Sequence, residues 1–361
     1  MPDGLAKRGT QRLLVTADAV GGVWRYAVDL AGGLAARGIG TVLAVLGPPA
    51  SAAQRTEAEA IPNLRLVQTG LPLDWTAGGP ADLARASSRL SALAALTGVN
   101  GVHLHAPALV GAVRWPVPVV AVAHSCVGTW WSAVRGGPMP DDLQWRADAT
   151  AAGLRTAAAV IAPTAAHAAA VQATYGPSTI QVVHNGLDPT PLPPVPRQRA
   201  VLTAGRLWDD AKGIAALDQA AVGLGAPVRA AGPTQGPHGE ARAFANLDLL
   251  GALDQPGMAA AYAGATVFAS MALYEPFGLA VLEAAQAGMA LVLSDLPGFR
   301  ELWDGAALFV ADPALLQPAL RQALDQPDAL ASAARGRAGR YTVDAMVSGT
   351  LAVHRAAAVA A

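Results

Sequence analysis

The chain has 361 residues, 53% of them hydrophobic and 14% charged, a composition that excludes intrinsic disorder and predicts a large core. Its 25 basic and 26 acidic residues give a net charge of −1. The chain therefore lacks the excess of positive charge that would indicate a nucleic-acid partner. The single cysteine, Cys126, excludes an internal disulfide framework and a cysteine-rich metal site.

The apolar segments do not predict insertion into a membrane. Leu13–Ala19 follows several basic residues, but it is too short for the hydrophobic region of a signal peptide and contains Asp18. No apolar run approaches the roughly 20 residues of a membrane span. Residues 1–196 carry 13 basic and 11 acidic side chains, which is a small excess of positive charge. No basic amphipathic helix stands out in the sequence. We therefore expect a soluble, cytoplasmic protein with at most weak peripheral contact with a membrane.

The first half of the chain alternates between predicted strands and helices. Leu13–Ala17 is a short apolar strand, and Asp18–Gly22 is a turn. Val23–Arg37 has the apolar spacing of a helix, and Thr41–Leu46 is the next buried strand. The alternation continues with strands at Gly101–His105, Val117–His124, Val160–Pro163 and Ile180–Val183, and with helices at Pro80–Leu96 and Asp141–Ala158. This order predicts a mostly parallel sheet with helices on both faces.

A proline-rich segment separates this half from a second half of the same kind. Pro189–Pro196 contains five prolines in eight residues, which favours a stiff, extended connector. Tyr341–Ala361, at the other end, is an alanine-rich predicted helix. Between them lie predicted strands at Ala200–Ala204, Val228–Ala231, Leu247–Leu250, Ala265–Ser270 and Leu291–Ser294, and predicted helices at Gly213–Ala221 and Gly278–Ala287.

We therefore predict an α/β fold with two doubly wound, Rossmann-like domains that face each other across a cleft. The expected N-terminal domain spans residues 1–188, a linker spans 189–199, and a C-terminal domain spans 200–340. A final helix over 341–361 is expected to cross back to the first domain. Because doubly wound sheets bind ligands at the carboxyl ends of their strands, this architecture predicts an enzyme or binding protein that acts on two ligands.

Two glutamates mark the first candidate site. Only six glutamates occur in the chain, and Glu275 and Glu283 lie eight residues apart within Ala272–Ala290. Pro276 suits the first position of a helix, so we expect both carboxylates on one helix face, within reach of a sugar and a ribose. The N–H groups of 277–279 at the helix start are suited to an anionic phosphate. A capped surface helix with two solvated glutamates is the alternative.

A basic loop forms the second candidate site. Arg206 and Lys212 lie in the loop that follows the predicted strand Ala200–Ala204, and Lys212 is one of only two lysines in the chain. A guanidinium and an ammonium group can converge on a diphosphate. The alternative is a solvated basic loop without a ligand.

These motifs resemble those of a known family. Gly205-Arg206, Lys212-Gly213 and the segment Glu275–Ala284 are similar to the C-terminal half of GT-B glycosyltransferases, specifically glycosyltransferase family 4. Gly21-Gly22-Val23 resembles the glycine loop of the family, and His124 resembles its cleft histidine. Further similar segments are Ala162–Thr164, Val183–Asp188 and Leu296–Glu301.

The resemblance implies roles for individual residues of the C-terminal half. Glu283 would bind the ribose hydroxyls of a nucleotide sugar, and Glu275 would contact the transferred sugar. Arg206 and Lys212 would neutralise the departing diphosphate. The remaining donor contacts would come from the backbone of Phe277, Gly278 and Leu279.

In the N-terminal half, Gly22 would allow close approach of backbone amides to the donor, and His124 would contact the donor sugar. A polar strand end is the alternative for His124. Acceptor-binding candidates are Gly21, His105 and the adjacent Trp130 and Trp131, which we place in a loop. Packing in the core or in a lid is an equal alternative for His105 and for the tryptophans.

The leading hypothesis is a retaining glycosyltransferase that uses a nucleotide sugar, with UDP favoured over GDP, and a hydroxyl acceptor. No Asp-x-Asp motif of a metal-dependent transferase is evident; Asp141-Asp142 is more typical of a helix cap. We therefore expect neither a metal nor another cofactor. The alternatives are a nucleotide-sugar epimerase, a phosphorylase-like enzyme and a sugar-binding module without catalysis. The sugar, the acceptor and the oligomeric state are not determined by the sequence.

Overall fold

A computed structural model describes residues 11–236 and 239–360. The chain forms two compact units. The first contains the chain up to Ser132, Gly136–Gly186 and the segment from Val343 onward, and the second contains Ala133–Arg135 and Leu187–Thr342. The final helix therefore belongs to the first unit, although the sequence places it after the second.

Strands and helices alternate along both units. The strands are β1 (Arg12–Asp18), β2 (Gly40–Leu46), β3 (Leu64–Gln68), β4 (Gly101–Leu104), β5 (Val119–Val122), β6 (Ala159–Ala162), β7 (Ile180–Val182), β8 (Gln198–Ala204), β9 (Val228–Ala231), β10 (Asp248–Gly251), β11 (Ala265–Ser270), β12 (Ala290–Ser294) and β13 (Leu308–Val310). The helices are α1 (Gly22–Ala35), α2 (Ala52–Glu59), α3 (Pro80–Thr97), α4 (Val127–Val134), α5 (Asp141–Thr156), α6 (Ala165–Tyr175), α7 (Ile214–Ala221), α8 (Gln255–Gly264), α9 (Leu279–Gln286), α10 (Pro297–Trp303), α11 (Leu316–Asp325), α12 (Pro327–Ala338) and α13 (Val343–Ala360). Short 3₁₀ turns lie at Pro107–Leu109, Asp210–Lys212 and Pro313–Leu315.

Each unit contains one parallel sheet. The first sheet has the order β3-β2-β1-β4-β5-β6-β7, and the second has the order β10-β9-β8-β11-β12-β13. All the strand pairs in the described residues are parallel. The predicted α/β class with two Rossmann-like domains is confirmed.

The strand order reverses once in each sheet. In the first sheet the reversal lies between β1 and β4, and in the second it lies between β8 and β11. The helices that follow the two strands at a reversal lie on opposite faces of the sheet, which opens a crevice at the carboxyl ends of those strands. The residues that follow β1, β4, β8 and β11 are therefore placed to bind ligands.

The first sheet is buried on both faces. On one face Leu13 and Val15 pack with Trp24 and Leu30 of α1 and with Val347 and other residues of α13. On the other face a second apolar cluster joins the sheet to α3. A Cβ at Gly33 of α1 would overlap the side chain of Val347 on α13. The glycine therefore allows the two helices to approach closely, and this contact binds α13 to the first unit.

The observed elements differ from the predicted ones in three places. The predicted linker ends two residues early, because β8 begins at Gln198. Trp130 and Trp131 lie in helix α4 rather than in a loop. The helix that contains Glu283 begins at Leu279, after a left-handed Gly278 with φ 90°, so Pro276 is not its first residue.

Candidate active site

The basic loop follows β8 and folds against the segment after β11. Gly213 closes this loop with φ 62°, and a Cβ at this position would overlap the carbonyl oxygen of Met271. The N–H group of Leu273 donates to the carbonyl oxygen of Ala211 at 2.8 Å. Because only glycine allows this close approach, the sequence of the loop brings Lys212 beside the segment that carries Glu275.

Lys212 and Glu275 form an ion pair. The ammonium Nζ of Lys212 lies 2.7 Å from Oε2 of Glu275, and the two side chains are 21% and 20% exposed. The structure thus brings together two residues that the sequence singled out separately, 63 positions apart. A cation and a carboxylate that share a partly buried contact can each turn to a ligand group of opposite charge or to a hydroxyl.

Arg206 points to a different carboxylate. Its Nη2 lies 2.8 Å from Oδ2 of Asp209, and its guanidinium lies 5.6 Å from the ring centre of Trp208. The Arg206 side chain remains 52% exposed, whereas Asp209 is 7% exposed. Asp209 also accepts a hydrogen bond from the N–H of Ala211 and so caps the 3₁₀ turn that contains Lys212. Asp209 therefore supports both cations of the loop, although it was not predicted from the sequence as a site residue.

The predicted geometry of the two glutamates is wrong in one respect. Glu275 lies before α9, in the loop that ends at Gly278, so Glu275 and Glu283 do not share one helix face. The physical reason is Gly278, whose left-handed conformation reverses the chain direction just before the helix. The side chain of Phe277 is buried and packs edge-on against Tyr341, which leaves only its backbone for a ligand.

The start of α9 carries backbone amides that the helix itself does not use. The N–H groups of Val281 and Leu282 donate to the carbonyl oxygen of Gly278 at 3.0 and 3.1 Å. The preceding amides, those of Leu279 and Ala280, have no carbonyl one turn back within the helix. The helix dipole favours a negative charge at this end of the helix.

Glu283 is held by a tyrosine that was not predicted from the sequence. The hydroxyl of Tyr262 on α8 donates to Oε2 of Glu283 at 2.7 Å, and Tyr262 is buried. Burial and the negative charge of Glu283 raise the pKa of Tyr262 well above its ordinary value. The hydroxyl therefore stays protonated and fixes one oxygen of the carboxylate. Its only signal in the sequence is an aromatic residue within an alanine-rich helix.

In the first unit the glycine loop follows β1. Asp18 accepts hydrogen bonds from the N–H groups of Val20 and Gly21, both at 3.1 Å. Gly21 is the N-cap residue of α1 and has an extended backbone, and Gly22 is the first residue of that helix. A Cβ on Gly21 would contact nothing within 4 Å, so the free space beside this residue is open to a ligand.

His124 and His105 lie at the same edge of the first sheet, after β5 and β4. Nδ1 of His105 lies 2.8 Å from Nε2 of His124. Burial lowers the pKa of both rings, for His124 to about 3, and the charge of His167 contributes to the effect on His124. The predicted donor histidine and the predicted acceptor histidine therefore form one neutral pair.

Further polar side chains continue this cluster inward. His103 on β4 contacts Nε2 of His354 on α13 through its Nδ1 at 3.2 Å, and Nε2 of His103 lies 3.4 Å from the hydroxyl of Tyr26. Burial lowers the pKa of His103 and of His354, the latter to about 4, and raises that of Tyr26 to about 12. These three residues were not predicted from the sequence, because α13 joins the sheet only in the tertiary structure.

The two adjacent tryptophans have different surroundings from those predicted. Their rings lie 6.3 Å apart at 57° on α4. Trp131 lines a cavity of about 520 Å³ together with Gln144 and Asp148 of α5 and with Tyr175 of α6. Trp131 is therefore accessible to a ligand of the first unit, as an acceptor-binding residue would be.

Three features concern metal binding and membranes: the acidic pair at the start of α5, clusters of metal-ligating side chains, and long apolar helices. Asp141 and Asp142 lie in the first turn of α5, after the N-cap residue Pro140, and neither caps the helix with its side chain. Among residues 11–236 and 239–360, no three His, Cys, Asp or Glu side chains are arranged to hold a metal ion. In the same residues no helix is long and apolar enough to cross a membrane.

Two family models match the chain, one in each half. The model of Glycosyltransferase Family 4 matches residues 20–190, and the model of Glycosyl transferases group 1 matches residues 198–326. No curated protein sequence matches the chain.

Solved structures of other proteins share its fold at low sequence identity. Sucrose-phosphate synthase from Thermosynechococcus elongatus is 19% identical with a TM-score of 0.73, over 96% of this chain and 98% of that one. HepE from Anabaena in complex with UDP-glucose is 17% identical with a TM-score of 0.70, over 94% and 99%. WaaG, a glycosyltransferase involved in lipopolysaccharide biosynthesis, is 16% identical with a TM-score of 0.69, over 95% and 98%.

The two Rossmann-like units and the two matching family models define a glycosyltransferase of the GT-B fold. Within that class the chain resembles family 4, whose model covers most of the first unit.

Proposed function

We propose that the protein transfers a hexose-type sugar from a nucleotide sugar to a hydroxyl group of a glycan, a lipid or a small molecule, with retention of configuration. The observation that carries the proposal is the Lys212–Glu275 ion pair, which lies beside the start of the helix that carries Glu283. One unit thus offers a cation for a diphosphate, a carboxylate for a sugar and a carboxylate for a ribose.

Donor binding would exchange partners within this arrangement. A diphosphate brings two or more negative charges to Lys212, which attracts the ammonium group away from Glu275. Glu275 is then available to accept hydrogen bonds from sugar hydroxyls. The N–H groups at the start of α9 and the exposed guanidinium of Arg206 supply further positive potential to the diphosphate.

The transfer step would use this potential for the leaving group. As the bond from the anomeric carbon to the diphosphate oxygen breaks, negative charge grows on the diphosphate and positive charge grows on the sugar ring. Lys212 and Arg206 stabilise the first, and the carboxylate of Glu275 stabilises the second. The acceptor oxygen attacks on the face that the diphosphate leaves, and its proton passes to a phosphate oxygen. We propose that these side chains and the helix dipole carry out this step without a metal ion.

UDP is the favoured nucleotide because the structure of HepE, a protein of the same fold, contains UDP-glucose. Titration calorimetry with UDP, GDP and ADP tests this choice directly. A Kd for UDP at least tenfold below those of GDP and ADP is expected, and equal or absent binding of all three nucleotides contradicts the proposal.

Turnover distinguishes transfer from the alternative activities. The protein is incubated with a panel of nucleotide sugars, with and without hydroxyl acceptors, and the products are identified by mass spectrometry and anomeric NMR signals. Transfer predicts a glycoside of the donor's anomeric configuration and free nucleoside diphosphate. An epimerised donor without acceptor, or binding with no turnover of any donor, would instead indicate an epimerase or a binding module.

A further inference from the structure

The contact between His105 and His124 raises the question of which nitrogen carries the proton. Nδ1 of His105 and Nε2 of His124 are 2.8 Å apart, a normal hydrogen-bond distance that requires one donor and one acceptor. Both rings are neutral at pH 7, because burial lowers the pKa of each well below its ordinary value. Each ring therefore carries a single proton, and two arrangements are possible.

The second nitrogen of His105 decides between them. Nε2 of His105 is buried and has no hydrogen-bond partner within residues 11–236 and 239–360. If Nδ1 of His105 were the acceptor, the proton of this ring would lie on Nε2 and would form a buried N–H group without an acceptor. If Nδ1 is the donor, Nε2 is only an unused lone pair. Buried N–H groups without a partner are the rarer of the two in proteins, so His105 donates.

The tautomer of His124 follows from this direction. Its Nε2 accepts the hydrogen bond from His105, so its own proton lies on Nδ1. No hydrogen bond to Nδ1 of His124 occurs within the described part of the chain, and the side chain is partly exposed at the carboxyl edge of the sheet. His124 thus offers an uncharged N–H donor at the edge where a doubly wound sheet binds ligands.

Neighbouring residues hold His105 in the orientation in which its Nδ1 faces His124. Its backbone N–H donates to the hydroxyl of Thr16 on β1 at 3.0 Å. The ring of Tyr26 contacts the rings of both histidines edge-on. The distance between ring centres is 5.0 Å to His105 and 4.6 Å to His124. These contacts come from β1 and α1, which flank the pair on one side.

We propose that His105 is a positioning residue that fixes His124 as the Nδ1–H tautomer, so that His124 donates a hydrogen bond to a ligand oxygen. A neutral imidazole N–H can donate to a hydroxyl oxygen or to a phosphate oxygen. The identity of this oxygen as part of a sugar substrate rests on the proposed function. The tautomer itself does not, since it is a property of the free protein.

The tautomer is measured by long-range ¹H–¹⁵N correlation NMR of the histidine rings in the full-length protein at pH 7. In the wild-type protein we expect a protonated Nδ1 and an unprotonated Nε2 for His124. His105→Phe removes the donor and should shift His124 toward the Nε2–H form. His105→Asn retains an N–H donor near the same position and should preserve the Nδ1–H form. A protonated Nε2 of His124 in the wild-type protein overturns the proposal, whatever the stability of the variants.

A matched control separates this pair from the rest of the cluster. His354→Gln alters the contact between His103 and His354 and should leave the His124 ring signals unchanged. If His105→Phe leaves the His124 tautomer unchanged as well, His105 has no positioning role and the inference is wrong.

Activity then links the tautomer to the ligand. His105→Phe should lower kcat/KM for sugar transfer about tenfold, the effect of one lost hydrogen bond, while His105→Asn stays within about threefold. Absence of sugar transfer in the wild-type protein would contradict the proposed function and leave the tautomer result standing. Equal activity of the Phe variant and the wild-type protein would contradict the role of His124 as a donor to substrate.

Discussion

Single side chains at the carboxyl ends of β8 and β11 determine what the second unit can bind. Lys212 is one of two lysines in the chain, and its compact ammonium group lies 2.7 Å from a carboxylate in a partly buried position. An arginine carries the same charge on a larger planar group and does not fit the same contact. The identity of the cation therefore matters here as well as its charge.

Lys212→Ala should remove most of the transfer activity, because the charge of the leaving diphosphate would be only partly neutralised. Lys212→Arg should also be impaired, although less so, because the guanidinium does not replace the ammonium contact with Glu275. The measurement is kcat/KM with the preferred donor, together with a thermal melt of each variant. Both variants should stay folded, because the lost contact is a single, only partly buried ion pair, and its loss costs less than the stability of a whole domain. Full activity of Lys212→Ala would exclude a role in binding the diphosphate.

The two glutamates should differ in the kinetic constant that they affect. Glu275→Gln should lower kcat by about 10²–10³, the effect of removing one interaction with a developing charge, and leave the Kd for the nucleotide within a few-fold. Glu283→Ala should mainly weaken nucleotide binding, because its expected contact is the ribose. Nucleotide titrations and initial rates of each variant check this. Identical losses of binding and rate in both variants would show that the two carboxylates do not have separate roles.

The hydrogen bond from Tyr262 to Glu283 gives a further test of the role of Glu283 in nucleotide binding. Tyr262→Phe retains the ring that packs beside Phe268 and removes only the hydroxyl that binds Glu283. We expect nucleotide affinity to fall about tenfold, the effect of one charge-assisted hydrogen bond. The loss should disappear for a donor with a 2′,3′-dideoxyribose, since that donor cannot use Glu283. An equal loss for both donors would mean that the hydroxyl acts on the fold rather than on ribose binding.

At the scale of elements, close approach of two loops organises the site. The carboxyl-terminal loop of β8 contacts the end of β11 at Gly213, and this contact places Lys212 and Glu275 side by side. A side chain at this position would push the two loops apart. The site therefore depends on the absence of a side chain at position 213.

Gly213→Ala tests this dependence, and Gly223→Ala is its matched control. Both glycines have left-handed backbones, with φ of 62° and 69°, but a Cβ on Gly223 has nothing within 4 Å, whereas one on Gly213 overlaps a carbonyl oxygen. Gly223→Ala should cost about 1 kcal/mol of stability, for the backbone alone. Gly213→Ala should cost clearly more and lower activity strongly. Urea unfolding and kcat/KM measure the two effects, and equal destabilisation by both substitutions would refute the packing argument.

For the whole molecule, histidines with a lowered pKa make stability depend on pH. Four described histidines of the first unit have a lowered pKa through burial: His103, His105, His124 and His354. Unfolded histidines take up protons as the pH falls below about 6.5, while these four remain neutral in the folded protein. The unfolded state then binds more protons, so acidification lowers the free energy of unfolding. Asp74 acts in the opposite sense, because burial raises its pKa to about 6.

We therefore expect the urea midpoint to fall between pH 7 and pH 5.5. The slope should correspond to an uptake of up to about three protons on unfolding, four from the histidines less one retained by Asp74. Tryptophan fluorescence reports this transition, since six of the eight tryptophans lie before residue 150. His354→Gln should reduce the slope by about one proton. A midpoint that does not change with pH in this range would show that the histidines are not buried in neutral form.

Charge and hydropathy also predict how the whole molecule behaves with lipid. The small excess of two positive charges in residues 1–196 gives at most a weak attraction to anionic surfaces. Flotation with vesicles containing anionic lipid should leave most of the protein in the lower fractions. Recovery of most of the protein with the vesicles at physiological salt would contradict this expectation.

The sequence by itself determined the strands that carry the site and the residue types that form it. Apolar runs bounded by Gly and Pro are local signals, and so the strands that carry the site were predicted to within two residues of their observed ends. The rarity of lysine and glutamate in this composition pointed to Lys212, Glu275 and Glu283, because unusual residue types need no tertiary information to be noticed.

Only the tertiary structure decided how these residues combine. The pairing of Lys212 with Glu275, the bond from Tyr262 to Glu283 and the packing of α13 against the first sheet join residues far apart in the chain. No periodicity within a window of 11–18 residues encodes such contacts. The start of α9 was misplaced for a related reason: Pro276 has the local preference of a helix start, but Gly278 adopts a left-handed backbone against Phe299, and the helix begins after it.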